Sequence, residues 1–63
     1  MRYILKVGKR TLIRVKDTEF ILTQEYEGAT KFDKIGDAMK KAVEINEELG
    51  AHIVKIVSVS SNL

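Results

Sequence analysis

Cysteine, proline and tryptophan are all missing from this 63-residue chain. Without cysteine there is no disulfide framework and no thiolate zinc site, and a single histidine, His52, cannot hold a structural metal alone. A cysteine-free chain also fits a reducing compartment. With no proline, repeat, linker or low-complexity tract, residues 1–63 read as one α+β domain. Long apolar runs are missing too. The opening Met1-Arg2-Tyr3-Ile4-Leu5-Lys6 is too short for a signal peptide, and no stretch approaches the ~20 apolar residues of a membrane span. The expectation is a soluble cytoplasmic protein of a bacterial host cell, with no membrane partner and no cofactor.

A chain of this length buries only about 60% of the surface that its unfolded form exposes, so its core is close to break-even. Unusually good packing or self-association must supply the difference. Charge is unevenly placed. The net value is +2, yet residues 1–16 carry Arg2, Lys6, Lys9, Arg10, Arg14 and Lys16 with no acid, while the remainder carries five lysines against nine acids. A local field of one sign can steer an oppositely charged partner.

Three short runs rich in β-branched residues, 2–7, 11–16 and 19–23, are separated by Gly8-Lys9-Arg10 and Asp17-Thr18, which predicts an antiparallel meander. A three-residue first loop sets Val7 opposite Thr11 and gathers Tyr3, Leu5, Val7, Ile13 and Val15 on one face. A tight second turn pairs Lys16 with Glu19 and adds Phe20 and Leu22 to that face. Residues 24–30 read as a loop hinged at Gly28. A helix follows from about Lys34 to Leu49, with Asp33 as N-cap, Thr30 as a rival start and Gly50 as C-terminal stop. Its apolar stripe holds Ile35, Ala38, Met39, Ala42, Ile45 and Leu49, and Asn46 falls inside that stripe. Gly36 in the first turn is unfavourable there, so that either the helix starts later or a backbone packs closely against it. Residues 52–60 form the fourth strand, giving β-β-β-α-β with the helix on one sheet face. That strand is expected beside the first and parallel to it, by a right-handed crossover.

No catalytic constellation is legible. There is no nucleophile elbow, phosphate-binding loop or paired histidine motif. His52 lies just past a helix end, and Glu25, Glu27, Asp33 and Asp37 lie on a loop and a solvated helix turn, where paired acid/base work is not expected. One helix on a small sheet also suggests no cleft of the ~300–1,000 Å³ that small ligands use. The chain therefore reads as a non-enzyme.

The second sheet face carries the functional signal. Ile4, Leu12 and Ile21 alternate there with Arg2, Lys6, Arg14, Lys16, Glu19 and Thr23. The last strand is apolar on both parities, with Ile53, Val57 and Val59 on one side and Val54 and Ile56 on the other. A helix about 10 Å wide cannot cover both faces of a sheet about 20 Å wide. The candidate interface is Ile4, Leu12, Ile21, Val54 and Ile56, used for homodimerisation or a host protein. The alternative is nucleic-acid or acidic-partner binding through Arg2, Lys6, Lys9, Arg10, Arg14 and Lys16, with Tyr3 as a stacking platform if the faces are inverted.

The opening Tyr3-Ile4-Leu5-Lys6-Val7-Gly8, then Arg14-Val15-Lys16-Asp17, Phe20-Ile21-Leu22-Thr23, and Ala29-Thr30-Lys31-Phe32-Asp33 before a helix with Ala38 and Ala42, resemble small uncharacterised proteins of phages and prophages of Gram-positive bacteria. That resemblance implies an accessory or host-directed binding protein and carries over no catalytic residue.

Overall fold

The computed structural model describes residues 1–59. The expected Ser60 end of the last strand and the tail after it lie outside the described residues. Strands β1 (Arg2–Val7), β2 (Thr11–Lys16) and β3 (Glu19–Thr23) form the meander. A single 3₁₀ turn at Tyr26–Gly28 precedes helix α1 (Ile35–Leu49), and β4 (Val54–Val59) closes the sheet. Strand order is β3-β2-β1-β4. The fold is α+β in the order β-β-β-α-β.

Both hairpins have the register that the sequence dictates, with Val7 opposite Thr11 and Lys16 opposite Glu19. Gly8 turns the first at a φ of 78°, where a Cβ is disfavoured. Asp17 turns the second at 57°, in a left-handed region that Asp tolerates better than most residues. Leu5 and Ile13 are fully buried against Ala38, Ala42 and Ile45 of the helix. The meander face is thus the one read from alternation.

The last strand runs antiparallel to β1, from Arg2 opposite Val59 to Val7 opposite Val54. The expected parallel crossover is wrong, and the reason lies in residues 29–33. β1 and β2 pair only at Lys6–Leu12 and Val7–Thr11 and then part. The chain fills the gap: Tyr3 and Phe32 exchange both backbone hydrogen bonds at 2.8 Å, the Thr30 N–H donates to Ile13 O at 3.1 Å, and the Val15 N–H donates to Thr30 Oγ1 at 2.7 Å. This segment travels the length of the sheet before the helix starts. The helix then runs back along it, and β4 must descend against β1. Ala29 sits on the second face and Phe32 against the helix-side core, so the chain crosses from one face to the other through the split.

The same bridge moves the helix start. Lys34 is still extended (φ −120°, ψ 134°) and is the N-cap without a side-chain hydrogen bond. Asp33, the expected cap, instead meets Arg2 Nε at 3.4 Å on the surface. At the other end Gly50, at φ 72°, donates to Asn46 O and Glu47 O, and Ala51 donates to Asn46 O, a Schellman arrangement.

The helix is rotated from the expected stripe. Ala38, Ala42 and Ile45 are buried, whereas Ile35 (51%), Met39 (53%) and Leu49 (42%) stay exposed. Asn46 sets that rotation, because its Oδ1 accepts the backbone N–H of both Ile53 and Val54 at 3.0 Å and pins its flank of the helix to the start of β4. Among the described residues no helix is long and apolar enough to cross a membrane.

Candidate functional site

The apolar interface read from the sequence is not an open surface. Ile4 and Leu12 are only 4% and 8% exposed, because Ala29 packs over them and Val57 and Val59 flank them. The sequence signal for a loop at 24–30 held no indication that its end would roof the second face. Val54 and Ile56 are on the other side altogether: opposite Val7 and Leu5, they pack in the helix-side core. Both parities of β4 are apolar, so alternation could not orient it. Register assigns Val57 and Val59 to the second face instead. Of the five residues, only Ile21 (49% exposed) presents a large open apolar surface.

The basic set is brought together. Arg2, Lys6, Arg14 and Lys16 alternate with the core-facing residues of β1 and β2 and so project from the second face, with Lys9 and Arg10 exposed in the turn at its end. Lys55 joins them directly opposite Lys6. The sequence reading missed it, because only antiparallel pairing with β1 places position 55 on this face. Like charges facing across a ladder are unfavourable without an external anion. Acids nearby are few. Glu19 is opposite Lys16, and Asp33 reaches Arg2. On the same face the cations surround the closed cluster of Ile4, Leu12 and Ala29.

Aromatic stacking is not on offer here. Tyr3 packs against the helix-side core, so the inverted-face option fails. Tyr26 is engaged by Lys31, whose Nζ lies 4.4 Å from the ring centroid and donates to Tyr26 O at 2.6 Å.

The helix leaves β3 uncovered, and an open groove of about 460 Å³ runs between Glu19 and Phe20 on one side and Lys41, Glu44 and Glu48 on the other. Its size exceeds the sequence expectation, since α1 centres over β1 and β4. Lys41 Nζ donates to Glu44 Oε1 at 3.1 Å across its wall. His52 lines a smaller recess of about 280 Å³ with Val43, Asn46 and Glu47. Glu25, Glu27, Asp33 and Asp37 are all exposed. Among the described residues no three metal-ligating side chains converge.

No protein-family model matches this chain, and neither the curated proteins nor the solved structures yield a match.

Proposed function

We propose that the chain is a non-enzymatic interaction module whose recognition surface is the basic second face, and that its partner is an acidic surface on another protein. The observation that carries this reading is the placement of Arg2, Lys6, Arg14, Lys16 and Lys55 on one sheet face, Lys6 and Lys55 directly opposed. Ile21 adds an open apolar contact at the rim of the same face. A basic face with one open aliphatic side chain at its rim suits an acidic protein surface, with charge supplying encounter rate and register and Ile21 a local dry contact. An accessory role of the phage and prophage kind, in a bacterial cytoplasm, is compatible with so small a binding unit.

The second reading is nucleic-acid binding. The same cations, with Lys9 and Arg10 at the end of the face, favour it, and the missing stacking platform weighs against it. Affinity capture from a bacterial lysate, with and without nuclease, separates the two when repeated with the Arg14→Glu/Lys16→Glu double variant. A nuclease-resistant protein partner lost in that variant supports the proposal. A nuclease-sensitive catch moves the assignment to nucleic acid, and a partner retained by the charge-reversed protein overturns both.

A further inference from the structure

The free edge of β4 and the helix flank above it form a second surface, independent of what the basic face binds. Tyr3 spends both backbone groups on Phe32, so it faces away from β4 and its pair with Ser58 is a non-hydrogen-bonded one. Alternation in an antiparallel ladder then assigns the β1 bonds to Lys55, Val57 and Val59, and turns the backbone of Val54, Ile56 and Ser58 outward. Asn46 takes the Val54 N–H. Among the described residues nothing takes the Ile56 and Ser58 groups or the Val54 carbonyl. Above this edge, on the side to which Asn46 points, the helix presents Ile35, Met39 and Val43, each more than half exposed. At about 100° per residue this flank, with Gly36 and Gly50, carries no charge, whereas Asp37, Lys40, Lys41, Glu44, Glu47 and Glu48 lie on the rest of the exposed helix. A Cβ on Gly36 meets no atom within 4 Å, so packing inside the chain does not require glycine there.

We infer that this edge pairs with the same edge of a second copy. The self-complementary register centres on Ile56. Two copies exchange the Ile56 N–H and C=O, and each Ser58 N–H donates to the partner's outward carbonyl at position 54, while Asn46 closes the ladder at its ends. The two-fold axis is perpendicular to the sheet, so both helices lie on one side with their uncharged flanks facing each other. Lys55 falls beside position 57 of the other copy rather than beside its own equivalent. The other sheet edge is unsuited to such pairing, since Glu19, Glu44 and Glu48 line its groove. The dimer is an eight-stranded sheet in which the two basic faces become one continuous surface.

Sedimentation of the full chain at tens to hundreds of micromolar tests the inference, with amide exchange measured on the same samples. The expected species has twice the 7.1 kDa chain mass, and the Ile56 and Ser58 amides gain protection as concentration rises. Val43→Glu, at a position already exposed in the monomer, and Ser58→Pro, which removes an outward donor and no hydrogen bond to β1, both give folded monomers with dissociation constants raised at least about 100-fold, equivalent to ~2.7 kcal/mol. Leu22→Glu on the far edge leaves the dimer intact. A wild-type monomer at hundreds of micromolar, a dimer that survives both variants, or a dimer lost only in Leu22→Glu overturns the inference.

Discussion

Asn46 holds the helix end with its main chain and the start of β4 with its side chain. Its carbonyl takes the Schellman bonds from Gly50 and Ala51, and its amide oxygen takes the N–H groups of Ile53 and Val54. Removing that oxygen leaves two donors without a partner at the start of β4. Asn46→Ala is therefore expected to lower stability by about 1–3 kcal/mol, whereas Asn46→Asp, which keeps an acceptor in place, costs less; urea denaturation of the three proteins checks the order. Thr30 is the parallel case inside the sheet. Its hydroxyl replaces a strand carbonyl as the acceptor for Val15, so Thr30→Val is expected to cost about 1–3 kcal/mol and Thr30→Ser much less. A Thr30→Val variant as stable as wild type would show that the split between β1 and β2 is closed by something other than this bond.

At the scale of elements, strands and turns were legible because each run alternates on one face and each turn fits its length. The alternation of Tyr3, Leu5, Ile13 and Val15 is enough by itself to mark the core side. The order of elements was legible for the same reason. Direction of β4 was not, since residues 29–33 carry no alternation to announce that they line the gap between two strands, and β4 is apolar on both sides. The basic face was visible in the first sixteen residues, while Lys55 depended on that direction. Rotation of the helix was equally hidden. A stripe centred by periodicity included Ile35 and Met39, but the hydrogen bonds of Asn46 to the β4 backbone hold the helix so that these two stay exposed and Ala38, Ala42 and Ile45 are the buried contact, while Leu49, in line with the buried three, is exposed in the last turn. This rotation predicts unequal costs along the helix face of the sheet. Leu5→Ala is expected to cost about 2–5 kcal/mol, and Leu22→Ala, more than half exposed, within about 0.5 kcal/mol. Phe20→Ala falls between them because its ring borders the open groove. Thermal melts in that order support the packing described, and an equal loss for Leu22 and Leu5 would place the helix over β3 instead.

For the whole molecule, the two apolar layers explain how so small a chain folds without a disulfide. One layer lies under the helix, and the other is closed by Ala29 over Ile4 and Leu12. Closing the second layer buries Ile4 and Leu12 and leaves Ile21 open among the cations of that face. Our proposals then assign self-association to the β4 edge and partner recognition to the basic face. Ile21 and Leu22 are adjacent in β3, both about half exposed, and point to opposite faces, so a photo-crosslinking side chain at each reads the two faces separately in a lysate. Recognition through the basic face predicts a nuclease-resistant protein adduct from position 21 and none from position 22. The same adduct from position 22 and none from position 21 would contradict that assignment.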